Sequence, residues 1–285
     1  MGAVAKIRRR GSDFRDVSQP AIMFPDHFIA GGYTVTDQIA QNLVTLRNRY
    51  AYPRAHARFS SDSDSIHLSD TRFVELILPE PGHITDLDLD RYHTGLLHSE
   101  DPIENFLGTF SMVFWGFYTF GPSYATIRAM RHRDGYRSKP ASTPDLVAGY
   151  LRAGAGDDLG ATLGQLAPLS QLGRTPFASK VVAFMYPARA GVLDNKIAKG
   201  LAASAWARGA PFLNGIGDVS QPRYQRRYAA WCDFLCTVAD RMNAGIASGA
   251  AWHWRNGATE PQHWRAIDVE RALFSHFSDA SARAA

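Results

Sequence analysis

Twenty consecutive residues, Phe106 to Ala125, carry no charge. A run of that length is either a bilayer span, which takes about 20 apolar residues, or the buried spine of a large core. Its content favours the spine. Gly108, Thr109, Ser111, Gly116, Thr119, Gly121, Pro122 and Ser123 interrupt it, Asp101 and Glu104 precede it, and Arg128 follows it. The spacing predicts a buried helix to about Phe120 and then a Gly-Pro break. The aromatic residues from Phe110 to Phe120 are expected in the core, and no membrane partner is expected.

A chain of 285 residues, 45% hydrophobic and 20% charged, can bury such a spine within one large domain or two modest ones. The formal net charge of +4 suits an anionic partner without requiring one. Of 31 basic residues only five are lysines: Lys6, Lys139, Lys180, Lys196 and Lys199. A lysine in an apolar setting therefore calls for an explanation. Cys232 and Cys236, four apart in a helical pattern, read as small hydrophobes on one helical face of a cytoplasmic protein. The segment Arg8-Arg9-Arg10 continues into Gly-Ser-Asp rather than an apolar stretch, and Lys6 stands where myristoylation at Gly2 would need Ser or Thr. The ten histidines are scattered without metal-ligand spacing, and no phosphate-binding, nucleophile-elbow or dinucleotide motif is present. Neither a metal nor a cofactor is expected.

Along the chain, residues 1–20 are basic and polar and read as a loose arm. Ile39, Leu43, Leu46 and Tyr50 have helical spacing behind Thr36 or Asp37 as cap. The Ser- and Asp-rich run 58–70 reads as a surface loop, and 73–78 alternates as the one convincing strand. Beyond residue 100 the pattern is helical. Thr143-Pro144-Asp145 starts one helix, and Asp157 or Asp158 opens another through Leu159, Leu163 and Leu166. Further helices are expected over about 177–186, 195–206, 224–242 and 267–277. The expectation is a mostly α protein. Residues 1–100 form a less regular N-terminal region with a short strand, and 101–285 form a helical region. Trp252, Trp254 and Trp264 could stack on bases, although packing roles are the commoner use of such residues.

The segment Gly173 to Leu201 carries the chemistry. Lys180 has Phe177 three residues before it and Phe184 four after, on its own helical face. Such a lysine either stretches to water or is partly desolvated, and desolvation moves an ammonium toward a nucleophilic amine. Fourteen residues later, Asp194 precedes the periodic run Ile197, Ala198, Leu201 and reads as an N-cap. Two readings stay open from spacing alone: a stretched lysine with a capping aspartate, or an amine and a carboxylate meeting where two short helices join.

The sequence Ser179-Lys180, an apolar helix, a turn, then Val192-Leu193-Asp194 with Ile197-Ala198 resembles the catalytic segment of helix–hairpin–helix DNA glycosylases. It is most similar to the bacterial 8-oxoguanine DNA glycosylase-like branch. The resemblance covers about residues 100–277, with its specific part in 173–201. The downstream helix with Tyr228 and Trp231 and the run Asp268 to Phe274 also look like that branch. The resemblance implies a helix–hairpin–helix glycosylase-like fold in which Lys180 attacks C1′ of a flipped-out nucleotide, displacing the base and forming a Schiff base. Strand breakage by β-elimination can follow. Asp194 would stabilise positive charge developing at the sugar. Gly173, Arg174, Thr175, Lys196 and Lys199 fall where such a segment grips DNA. The chain departs from the pattern at Pro176 and Ala178, where the family hairpin has glycines.

The implied function is base excision from DNA, with 8-oxoguanine as the family's usual substrate and abasic-site lyase activity as its companion. The same chemistry on a hypermodified phage base, as a defence enzyme, is one alternative. A DNA-binding protein of that fold without catalysis is another.

Overall fold

The structure is a computed structural model. It describes residues 24–26, 28–29, 32–69, 72–79 and 84–283, with side chains as far as residue 278. The expected arm over residues 1–20 lies outside the described residues. Ten α-helices and one three-stranded sheet make a mostly helical protein among those residues.

The chain enters through α1 (Asp37–Asn48), whose cap is Thr36, its hydroxyl accepting from Ile39 N. Three short strands follow: β1 (His56–Ser60), β2 (Ile66–Ser69) and β3 (Arg72–Ile77). They pair antiparallel in the order β1-β3-β2, with Ala57 opposite Leu76 and Ile66 opposite Val74. The run 58–70, expected as a loop, is thus mostly sheet. Its strands are too short to show alternation, and the Ser/Asp cluster is the turn between them. Ala57 N donates to Ser111 Oγ, tying β1 to the uncharged spine.

α2 (Asp86–Leu97) begins with a capping box between Thr85 and Asp88. The spine itself is α3 (Pro102–Phe117), buried from Asn105 to Phe117. A short 3-10 turn over 118–120 ends at Gly121, whose φ of 102° lets the chain turn sharply into α4 (Pro122–Asp134). α5 (Pro144–Ala153) and α6 (Leu159–Gln165) start where their caps Thr143 and Asp158 predict. α7 (Thr175–Met185), α8 (Asn195–Ala203), α9 (Pro222–Ala247) and α10 (Ala266–Arg283) complete the order. No helix among the described residues is long and apolar enough to cross a membrane.

One hydrophobic cluster runs from Phe24 to Phe277, so the regions before and after residue 100 contribute to a shared core. Around α10 that core holds six buried or half-buried charges. Arg47 pairs with Asp86 at 2.6 Å and Asp268 at 3.0 Å. Arg271 pairs with Asp90, and Arg265 bridges Asp90 at 2.7 Å and Asp268 at 2.8 Å. Burial alone would raise the Asp268 carboxyl, but Arg265, Arg47 and Arg271 outweigh it and hold it at about 2. The cluster locks α1, α2 and α10 together. Arg47 also lies 3.6 Å from the Trp254 ring centroid, which gives that fully buried tryptophan a packing role. Trp264 is likewise buried.

Candidate active site

α7 packs against α2, α3, α6 and α9. Thr175 at its start is fully buried and its hydroxyl bonds the Gly215 and Gly217 carbonyls at 3.0 and 3.2 Å. At its centre Lys180 is 5% exposed. The side chain runs along α3 at Gly116, where a β-carbon would sit 2.9 Å from Lys180 Cδ and 2.9 Å from Phe177 Cε1. Only glycine leaves that channel open. Lys180 Nζ lies 5.2 Å from the Trp115 ring centroid and 5.8 Å from that of Phe177. Among the described residues no hydrogen bond or ion pair holds it. Burial pushes the amine below its ordinary range, against the opposing charges of Asp194 and Glu270.

The turn from α7 to α8 is fastened from below. Ser179 Oγ accepts from Leu193 N at 3.1 Å, Tyr228 donates to the Gly191 carbonyl at 3.2 Å, and Trp231 Nε1 donates to the Val192 carbonyl at 3.2 Å. These bonds set Asp194 as the N-cap of α8, its Oδ1 accepting from Lys196 N and Ile197 N, both at 2.9 Å. Among the described residues no donor reaches its Oδ2.

Lys180 and Asp194 line the same cavity, of about 310 Å³. Its walls are Tyr52, Gly116, Phe117, Phe177 and Phe274, and Thr119, Phe120, Asn195 and Lys196 stand at its edges. Phe117 and Phe177 stack with centroids 3.9 Å apart. Burial pushes the Tyr52 phenol up to about 12, so it is a neutral donor, bonded to the Gly116 carbonyl at 3.3 Å. That volume is near the low end of the range for small-molecule pockets, about 300–1,000 Å³.

The other residues singled out in the sequence divide. Arg174, Lys196 and Lys199 are exposed, and of the three only Lys196 lines the cavity, its Nζ engaged with Ser278 Oγ at 3.2 Å. Gly173 is half-buried and its carbonyl accepts from Val219 N at 3.2 Å. The buried Thr175 hydroxyl is committed to the 215–217 turn, so its side chain is not available to a ligand. Cys232 is buried and Cys236 half-buried, both free thiols.

Sequence reasoning missed several participants. Phe120 was expected in the core, yet it is 72% exposed, beside Tyr124 and Ile127 on the first turns of α4. The signal for it was the Gly121-Pro122 break, which turns the chain before Phe120 can pack. Glu270 is buried, its Cβ against the turn at Gly191, and among the described residues it has no hydrogen-bond partner. Burial and the Asp194 charge push its carboxyl up to about 8, against Arg271, Lys180 and Arg47. Its spacing of four from Phe274, which lines the cavity, was the available clue. Among the described residues no three His, Cys, Asp or Glu side chains gather where they could hold a metal ion.

No family model, curated protein or solved structure matches this chain.

Proposed function

We propose that the protein is a DNA glycosylase of helix–hairpin–helix type, with Lys180 as nucleophile and Asp194 as charge-stabilising carboxylate. The observation that carries this reading is an unpaired, desolvated lysine opening into an aromatic cavity that a helix-capping aspartate also lines. Structural lysines are rarely buried without a partner.

The cavity takes a nucleotide turned out of the stack, its base held against the Phe117–Phe177 pair and Phe274. The neutral amine attacks C1′, the C1′–N glycosidic bond breaks, and its electron pair leaves with the base. Positive charge grows at the sugar as the bond breaks, and the free oxygen of Asp194 stabilises it. Opening of the sugar ring then gives a Schiff base, from which β-elimination breaks the strand. The exposed ridge of Phe120, Tyr124 and Ile127 beside the cavity suits contact with bases exposed by extrusion, which costs a few kcal/mol of stacking. Arg174, Lys196 and Lys199 supply charge for the flanking phosphates.

The test is borohydride trapping on duplexes bearing an abasic site, 8-oxoguanine, uracil or a glucosylated hydroxymethylcytosine. Lys180→Ala and Asp194→Asn are assayed in parallel. A covalent adduct on the abasic duplex that vanishes in Lys180→Ala is expected, and the base duplex that also yields adduct identifies the substrate class. Adduct formation that survives Lys180→Ala, or no adduct and no base release on any duplex, overturns the assignment.

A further inference from the structure

Among the described residues two ionisable side chains, Lys180 in the cavity and Glu270 behind it, have no hydrogen bond or ion pair, and the proposed reaction employs only Lys180. Glu270 lies on α10 one turn before Phe274, and its Cβ would be 2.8 Å from a β-carbon at Gly191, three residues before Asp194. It is 3% exposed and, among the described residues, accepts no hydrogen bond. A buried carboxylate left without donors is costly, so a fold that keeps one has a cation to place beside it.

The neighbouring charges show which cation that is. Lys180 faces Glu270 from α7, Asp194 from the start of α8, Arg47 from α1, and Arg271 adjoins it. Tyr50, Tyr52 and Tyr228 also face it, as neutral phenols whose ionisation burial opposes. Both arginines are spent on aspartates, Arg47 on Asp86 and Asp268, Arg271 on Asp86 and Asp90. Asp194, whose charge weighs on Lys180 ahead of that of Glu270, has Oδ1 spent on the α8 cap and Oδ2 committed to the sugar in the proposed reaction. Among the described residues Lys180 is the neighbouring cation with no hydrogen bond or ion pair of its own.

We infer that Glu270 is the counter-ion of the Lys180 nitrogen, a positioning residue that balances the cation formed when the amine bonds to its substrate. The inference rests on Lys180 being the nucleophile. The pair holds one proton between its two groups, as ammonium with carboxylate or as amine with carboxyl. The second form reacts. On an abasic aldehyde the amine forms a C=N bond and the carbonyl oxygen leaves as water, taking two of the three hydrogens carried by the amine and the Glu270 carboxyl. The third hydrogen stays on nitrogen, and Glu270 is left ionised beside the cation. The products are therefore an N–H iminium, one water and the Glu270 carboxylate, with no net change in charge.

Two measurements test this. With only five lysines in the chain, reductive methylation with ¹³C-formaldehyde gives a methyl spectrum in which Lys180 is identified by its loss in Lys180→Arg. Its titration is followed in the wild type, Glu270→Gln and Glu270→Asp. Removing the carboxylate should move the Lys180 midpoint to lower pH by about one unit or more, the size of a close opposite charge, and Glu270→Asp should return it toward the wild-type value. In parallel, the alkaline limb of borohydride trapping on an abasic-site duplex should move to lower pH in Glu270→Gln, because the iminium loses its counter-ion. A purely structural role would lower the yield of adduct without moving either midpoint. Coincident midpoints in wild type and Glu270→Gln overturn the counter-ion role and leave the Lys180 adduct standing. Absence of a Lys180-dependent adduct overturns the glycosylase reading, and the methyl titration still decides the pair.

Discussion

Gly116→Ala separates the stability of this fold from its chemistry. Gly116 lies near the end of α3, and its hydrogen atoms face the aliphatic stem of Lys180. An added methyl would stand 2.9 Å from Lys180 Cδ, 3.0 Å from Lys180 Cε and 2.9 Å from Phe177 Cε1. Carbon pairs settle at about 3.5–4.0 Å, so the stem and ring must retreat by roughly 0.5–1 Å. Two stability terms then oppose each other. Alanine gains about 1 kcal/mol over glycine in a helix interior, and overpacking costs about 1–3 kcal/mol. The net loss is about 2 kcal/mol at most, because the displaced atoms belong to a flexible stem and not to backbone. Chemistry has no such compensation, since a displacement near 1 Å can cost about 100-fold in rate. The expected result is a melting temperature within several degrees of wild type and a rate of adduct formation on an abasic duplex reduced by about two orders of magnitude. Wild-type trapping by a folded Gly116→Ala protein would refute the argument that this channel confines the lysine.

Three further outcomes follow from the same contacts. Ser179→Ala removes the acceptor of the buried Leu193 N–H and should cost about 1–3 kcal/mol in chemical denaturation, with a loss of activity as Asp194 loosens. Arg271→Ala leaves Asp90 buried and short of its main partner, and breaking such a pair should cost about 3–5 kcal/mol by denaturant titration. Glu270 has a folded-state value of about 8 against an ordinary 4.5, so between those values the folded state binds the extra proton and stability falls as pH rises. Glu270→Gln should therefore match wild type near pH 4 and exceed it by on the order of a few kcal/mol near pH 9, read as melting temperature against pH.

What the sequence discloses here follows where its physics is local. Thr36, Thr143 and Asp158 mark helix starts because a cap and its helix are adjacent in the chain. α2 leaves no such trace. Its inward positions include Asp86, Asp90 and His93, all buried, and the arginines that justify two of them lie on α1 and α10. A pattern reader takes those aspartates for a solvated face. α4 is hidden differently, since it buries only Ala125, Ala129 and His132 and leaves Tyr124 and Ile127 exposed. Within the site, the placement of Lys180 and Asp194 was legible because both sit in one short segment. Glu270 was not, because its relation to them is made by α10 packing against the α7–α8 turn, and in sequence it is one charge in the run Asp268-Val-Glu-Arg271.

The contrast between the two buried charge groups is what the proposed reaction predicts, a site that keeps costly unpaired charges at some expense of stability. Around α10 three arginines meet three aspartates, each partner answered within 3.4 Å. That arrangement limits the desolvation cost, which is several kcal/mol per ion when unanswered. One residue from Arg271, Glu270 is buried with no donor among the described residues, and Lys180 is buried with no acceptor among them. Both could have been apolar, as Val269 and Val181 beside them are. A simultaneous Lys180→Met and Glu270→Leu replacement should thus raise the melting temperature while abolishing adduct formation. Replacement of buried ion pairs by apolar residues of similar volume is often neutral or stabilising by about 1–4 kcal/mol. A double variant less stable than wild type at every pH would show that the pair holds the fold together, and would remove the reason to regard the burial of Lys180 beside the cavity as functional.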